Sequence, residues 1–132
     1  MRKIGKKTVV IFAVIALVLA AIIGTYIYIS GHRITDIGVS LSPDGNRSLY
    51  FQSVGEPDFT FGDSHARLVL KNGSATVAEY AFDVANDGKT LAPENWSADW
   101  GEAAVSVIIS GEEQQDMQYI LNYDCTVYVS SP

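Results

Sequence analysis

The sequence predicts one transmembrane helix followed by an all-β domain, a small antiparallel β-sandwich of about seven or eight strands. Residues 9–29 are a run of 21 residues without a charge, which is long enough to cross a bilayer as a helix. Residues 36–132 contain short runs in which apolar and polar residues alternate, separated by turn residues at roughly 8–12-residue spacing. The roughly one hundred residues after the apolar run suffice for one domain.

The apolar run is predicted to be an uncleaved signal anchor. At about 1.5 Å per residue it extends roughly 31 Å as a helix, which matches the hydrocarbon thickness of a bilayer. The apolar core of a cleaved signal peptide has only roughly 7–15 residues, although cleavage near Ala20 or Ala21 is the alternative. Ala16, Ala20 and Gly24 recur at every fourth position, so they are candidates for weak self-association between helices.

The charges that flank the run predict its orientation. Residues 1–8 carry four basic side chains, so the positive-inside rule places this basic N-terminus in the cytoplasm. Residues 30–35 are then a linker, and residues 36–132 are an extracytoplasmic domain. We therefore expect a single-pass protein of the cell membrane whose C-terminal domain is extracellular.

The charge of the outer part excludes one class of partner. All 15 acidic residues follow the apolar run, and only five basic residues oppose them, which leaves a net charge of −10. Such a domain repels phosphates, so nucleic acid is not an expected partner. Cys125 is the single cysteine, so the chain forms no intramolecular disulfide, and this is typical of a bacterial surface protein.

Two turn signals organise the predicted strands. Pro43 and Gly45 stand in the stretch SPDG at positions that favour a type I turn. Asn72-Gly73 is a strong hairpin signal. Near the C-terminus Cys125 belongs to an alternating apolar row, and we expect it in the core. Strands are expected over residues 37–41, 46–54, 65–71, 75–84, 96–100, 103–110 and 117–123, and the same alternation continues to Val129.

One acidic stretch, DVANDGKTLAPE at residues 83–94, partly matches a calcium-binding EF-hand loop. Asp83, Asp87 and Glu94 take the ligand positions 1, 5 and 12 of such a loop. Ala85 stands at position 3, where a ligand is needed, and the flanking residues read as strands, so a plain turn competes with the calcium site. The sequence predicts no cofactor.

Catalytic motifs are not recognisable in the sequence. The patterns of serine hydrolases, zinc peptidases, thiol oxidoreductases and P-loop proteins do not occur, so no catalytic residue is predicted. Asp58 and Asp63, together with Asp83 and Asp87, would be the carboxylates of a tethered hydrolase, which is the least favoured interpretation.

Four aromatic residues are the candidates for contact with a partner. Trp96 and Trp100 lie four apart in a predicted strand and share one face, where they are either anchors of the core or an exposed platform. Phe59 and Phe61 lie in a loop next to Pro57. Exposed aromatic residues in a loop favour contact with a protein or glycan.

The arrangement of these motifs resembles that of small membrane-anchored proteins of Gram-positive bacteria. The resemblance rests on SPDGNRSLYFQS, FDVANDGKTLAPENWSADW and VSVIISGEEQ, and it covers residues 42–124. It implies a β-domain at the bacterial cell surface, and it implies no particular activity or catalytic residue.

The leading functional prediction is an interaction module that binds a protein or a component of the cell envelope. The anchor, the acidic β-domain and the loop aromatics favour it. The alternative is a domain that senses a ligand or an ion such as calcium, with the acidic loops 56–63 and 83–94 as its site.

Overall fold

A computed structural model describes residues 4–58 and 61–131. The chain divides into two compact units between His32 and Arg33. The first unit contains helix α1, Lys6–His32. Among the described residues α1 is the one helix long and apolar enough to cross a membrane, as either a membrane anchor or a signal sequence would be.

Two hydroxyl groups of helix α1 are hydrogen-bonded within the helix. Thr25 Oγ1 donates to the carbonyl of Ala21 at 2.8 Å, and Ser30 Oγ donates to the carbonyl of Ile27 at 3.0 Å. A hydroxyl that is bonded to its own helix is tolerated in hydrocarbon, because no water is needed as a partner. The two polar residues are therefore compatible with an apolar surrounding.

The second unit consists of two four-stranded antiparallel sheets. The first sheet has the order β1-β2-β3-β4 and the second has the order β5-β6-β7-β8, so within each sheet the strands pair with their neighbours in sequence. The strands are β1 Ile34–Leu41, β2 Arg47–Val54, β3 Ser64–Asn72, β4 Ala75–Val84, β5 Trp96–Trp100, β6 Ala104–Ile109, β7 Met117–Asn122 and β8 Val127–Ser130, and a short 3-10 helix, Pro93–Asn95, precedes β5. The prediction of a largely β chain with antiparallel strands after one apolar helix is confirmed.

The two predicted turns form where their residues require them. Gly45 has a φ of 74° in the turn between β1 and β2, and Gly73 has a φ of 61° in the hairpin between β3 and β4. Glycine adopts this left-handed region without a steric penalty. The side chain of the buried Ser42 accepts a hydrogen bond from the backbone N–H of Arg47 at 3.0 Å, which closes the first turn.

The core is a single cluster of buried side chains to which both sheets contribute. Inward-facing positions alternate with outward-facing ones along each strand, as a half-buried sheet requires. Phe82 of β4 stacks on Tyr119 of β7 with ring centroids 4.5 Å apart. The buried members are Leu49, Phe51, Ala66, Leu68, Leu70, Ala78, Val84, Leu91, Val105, Val107, Ile109, Tyr119 and Leu121.

The expectation that Cys125 is a core residue is wrong. The thiol is exposed, and the residue has a φ of 77° in the turn between β7 and β8. Asp124 accepts hydrogen bonds from both the backbone N–H and the hydroxyl of Thr126, at 3.1 and 2.6 Å. This local turn interrupts the alternation that was extrapolated through Cys125.

Candidate functional site

The two tryptophans pack against the core as half-buried residues. Trp96 lies 5.4 Å from the ring of Phe51 and covers Gly38, where an added Cβ would approach the indole to 2.6 Å. Trp100 donates its indole N–H to Ser40 Oγ at 2.9 Å. Both indoles therefore connect β5 to β1, and a partner would reach only their outer parts.

Of the two loop phenylalanines, Phe61 is displayed at the surface and Phe59 lies outside the described residues. The side chain of Phe61 is 69 % exposed. Its backbone has a φ of 57° and lies against Gly88, where an added Cβ would be 2.9 Å from the Cα of Phe61. The turn that contains Gly88 therefore supports the backbone beneath the exposed ring.

The three calcium candidates lie in different local settings. Asp83 is in strand β4, Asp87 has a φ of 54° in the following turn, and Glu94 is in the 3-10 helix. Within residues 4–58 and 61–131, no group of three or more histidine, cysteine, aspartate or glutamate side chains is arranged to hold a metal ion. Asp83 is instead bonded to a histidine.

The small residues of α1 lie on its surface. An added Cβ at Gly24 meets nothing within 4 Å, and Ala16 and Ala20 are exposed. The geometry of the first unit therefore leaves this stripe accessible.

His65 is held between two carboxylates, an arrangement that the sequence did not predict. Its Nδ1 lies 2.6 Å from Asp83 Oδ1, on the paired residue of β4, and its Nε2 lies 2.8 Å from Asp58 Oδ1, in the loop after β2. The hydrogen bonds to Asp83 and Asp58 raise the pKa of His65 above its ordinary value of 6.5. We call this group, Asp58, His65 and Asp83, the histidine clamp.

The histidine clamp favours the imidazolium form for a geometric reason. A neutral imidazole has one N–H and can donate to only one carboxylate, whereas the cation donates from both ring nitrogens. With both nitrogens engaged, His65 has no lone pair with which to accept a proton from a nucleophile. The clamp therefore joins a loop to the sheet and is not arranged as a general base.

The outer face of the first sheet carries a hydrogen-bonded polar network. Arg67 donates to Gln52 Oε1 at 2.6 Å and to Glu79 Oε1 at 3.0 Å. Gln52 in turn donates to Asp36 Oδ1 at 2.6 Å. The network spans all four strands, and Glu79 is the acidic side chain that pairs directly with Arg67.

The same outer face becomes apolar toward the other end of β1. Val39 pairs with Tyr50, and Tyr50 pairs with Val69, so these side chains share the face opposite the core. Val39 and Leu41 are 50 % and 65 % exposed, and Lys71 Nζ lies 4.9 Å above the Tyr50 ring. We call Val39, Leu41 and Tyr50 the outer-face patch.

A hollow of about 350 Å³ opens beside the clamp, at the end of the first sheet where β1 begins and β2 ends. Its walls combine hydroxyl groups, the charged side chains of Arg33 and Glu56, the ring of His65 and two aliphatic side chains. The lining residues are Arg33, Thr35, Ile37, Ser53, Gly55, Glu56, Ser64, His65, Thr90 and Leu91.

The clamp, the outer-face patch and the hollow are three features of the described part of the β-unit on which a function can be argued. No protein-family model, curated protein or solved structure matches this chain. The functional interpretation therefore depends on the contacts, burial and charges of these features. Asp58 and Asp83 of the clamp were candidate carboxylates in the sequence, whereas His65, the outer-face patch and the hollow were not predicted from it.

Proposed function

We propose that this chain is a single-pass membrane protein whose β-unit is an extracytoplasmic interaction module. In this proposal α1 is the anchor with its N-terminus in the cytoplasm, and the two sheets form a sandwich over their shared core. The cluster of basic residues before α1 supports the orientation. The partner is a protein or a component of the cell envelope.

The observation that carries the proposal is the outer-face patch. Alternation along β1 would ordinarily place polar residues on the side of the sheet that faces water. Val39 and Leu41 are instead aliphatic and at least half exposed. Contiguous exposed apolar residues on a soluble surface are typical of a contact with another molecule.

Val39 and Leu41 of the patch lie on an edge strand, so a partner can also bind by adding an extended segment to the sheet. Strand β1 pairs with β2 on one side, and no other described strand pairs with it. Such an edge presents unpaired N–H and C=O groups to an extended segment of a partner. An extended chain bound along β1 would place its own side chains beside Val39 and Leu41.

The negative net charge of the domain favours a partner that carries an excess of positive charge. The domain carries −10 after the apolar run, so a partner with an excess of basic groups is favoured by long-range attraction. Lys71 beside Tyr50 is the exception near the patch, and it provides a site for one acidic group at the centre of the contact.

The experiment is a crosslink and pull-down from native membranes, with a tag at the C-terminus and a control that retains only residues 1–32. The test variant combines Val39→Ser with Leu41→Ser, and the matched control is Tyr128→Ser, which removes an exposed aromatic from the other sheet. Burial of a valine and a leucine contributes about 1.5–3 kcal/mol each, so capture should fall at least about tenfold in the double variant.

Three outcomes would contradict the proposal. A partner that remains with residues 1–32 alone would place the interaction in the bilayer. Capture that Tyr128→Ser lowers and the double variant does not would place it on the second sheet. No partner in any sample would remove the basis for an interaction module.

A further inference from the structure

We infer that the hollow at the end of the first sheet binds a small zwitterion, a free α-amino acid with an aliphatic side chain. This inference goes beyond the interaction module, because it concerns a different surface and a different class of ligand. The inference rests on how the strands build the hollow and on which charges line it.

The hollow lies where the inward-facing side chains of β2 and β3 change from large and apolar to small and polar. In β2 the inward positions run from Leu49 and Phe51 to Ser53, and in β3 they run from Leu68 to Ser64. Large side chains fill the core beside Phe51 and Leu68, and the smaller residues Ser53, Ala66 and Ser64 then follow at this end. A packed interior would ordinarily be filled to high density, so this is a local departure from close packing.

The hydroxyl groups make the hollow suitable for a polar ligand. Ser64 is buried, and its Oγ donates to the carbonyl of Lys89 at 2.9 Å, so its oxygen keeps lone pairs that can accept a hydrogen bond. Thr35, Ser53 and Thr90 add three more hydroxyls to the walls. Each can rotate to donate or to accept.

Two opposite charges line the same hollow. The N–H of Gly55 donates to the carbonyl of Arg33 at 2.7 Å, which fixes the start of β1 beside the end of β2. Arg33 and Glu56 therefore project from adjoining backbone. The carboxylates of Asp58 and Asp83 already engage the His65 cation, so Arg33 is the lining cation left to bind a carboxylate.

The volume of the hollow and its aliphatic wall favour an amino acid with an aliphatic side chain over other zwitterions. A volume of 350 Å³ corresponds to the space of about twelve water molecules, and hence to a ligand of roughly ten non-hydrogen atoms. Ile37 and the buried Leu91 provide an aliphatic wall. None of the described lining residues is tryptophan, tyrosine or phenylalanine, so the stacking surface that a sugar ring uses is missing there.

The test is titration calorimetry on the full chain in detergent micelles, with L-leucine as the probe. N-acetyl-L-leucine lacks the ammonium group, and isoamylamine lacks the carboxylate. The variants are Arg33→Gln and Glu56→Gln, which change exposed side chains and leave the core intact. The matched control is Arg47→Gln, which removes a cation outside the hollow.

We expect L-leucine to bind, and each of the two lining variants to weaken it by at least about tenfold, because a hydrogen bond to a charged group is lost. Arg47→Gln should leave binding unchanged, and both analogues should bind at least about tenfold more weakly than leucine. Equal binding of leucine and its analogues, or leucine binding unaffected by both lining variants, would overturn the inference. The inference would also be overturned if neither leucine nor any other aliphatic amino acid gave heat of binding. None of these results would affect the pull-down test of the outer-face patch.

Discussion

Replacement of His65 by glutamine tests the histidine clamp through the pH dependence of stability. In the wild type the imidazolium joins strand β3 to Asp83 of β4 and to Asp58 of the loop, with contacts of 2.6 and 2.8 Å. Glutamine retains a polar side chain of similar length but carries no charge at any pH. The difference in unfolding free energy between the two proteins therefore isolates the charged form of His65.

The magnitude follows from the exposure of the three groups. The side chain of His65 is 38 % exposed, and those of Asp58 and Asp83 are 59 % and 60 % exposed. Pairs that are this accessible to solvent contribute about 0.2–1 kcal/mol each. Two such contacts to one cation should together stabilise the fold by on the order of 1 kcal/mol.

The sign of the pH effect is set by the raised pKa of His65, whose cause is hydrogen bonding to Asp83 and then to Asp58. The folded protein holds the proton more tightly than the unfolded chain does, so the stabilisation is fully present below the unfolded value of 6.5. It is lost as the pH rises from that value through the folded pKa. Wild type and His65→Gln should therefore converge in stability above this window.

The assay is urea unfolding of the full chain in micelles, followed by tryptophan fluorescence at a series of pH values from the mildly acidic to the alkaline. His32→Gln is the control for the other histidine, and Asp63→Asn is the control for a carboxylate of the same loop that is not bonded to His65. A difference between wild type and His65→Gln that stays constant across the window would refute the clamp. A difference that grows toward alkaline pH would refute the sign.

Three further predictions concern packing, ions and the helix. Gly38→Ala should destabilise the β-unit by about 1–3 kcal/mol, or lower Tm by roughly 5–20 °C, because the new Cβ meets the Trp96 indole. The neighbouring substitution Val39→Ala should change thermal stability by less than about 0.5 kcal/mol, and equal effects of the two would contradict the contact. Millimolar calcium should leave Tm unchanged, since Asp83 is engaged by His65, whereas a calcium-dependent rise that Asp87→Asn abolishes would restore the ion-sensing hypothesis. Gly24→Leu should weaken self-association of α1 in lipid bilayers as measured by energy transfer between labelled chains, while unchanged transfer would show that the small-residue stripe is not a pairing face.

The strands of the first sheet were predictable because strong local turn signals bound them. The predicted runs 65–71 and 75–84 correspond closely to β3 and β4. The hairpin forms at the predicted place, but Asn72 pairs with Ala75, so its loop consists of Gly73 and Ser74, with Gly73 in the left-handed conformation. The prediction failed at Cys125, because the sequence was interpreted as a continuous alternating strand where the side chain of Asp124 forms a turn. A turn that depends on the hydrogen bonds of one aspartate gives a weaker sequence signal than a turn that contains an Asn-Gly pair or a proline followed by a glycine.

The hollow could not be predicted from the sequence, although each of its residues is visible there. Ser53 and Ser64 read as ordinary polar residues at the ends of strands, and only the fold shows that both face inward. Arg33 and Glu56 are 23 positions apart, and the bond between Gly55 and the carbonyl of Arg33 is what brings their backbones together. Convergence of this kind depends on strand pairing that no local pattern encodes.

The histidine clamp depends on a single irregularity of register. Asn72 pairs with Ala75 and Lys71 with Thr76, but Leu70 pairs with Ala78, because β4 carries one extra residue at this point. Without this bulge the unshifted register would place Phe82 opposite His65 and would turn Phe82 away from the core. The bulge instead brings Asp83 opposite His65 and lets Phe82 stack on Tyr119. One inserted residue thus serves the core and the clamp together, which is the usual consequence of a bulge that redirects side chains along a strand.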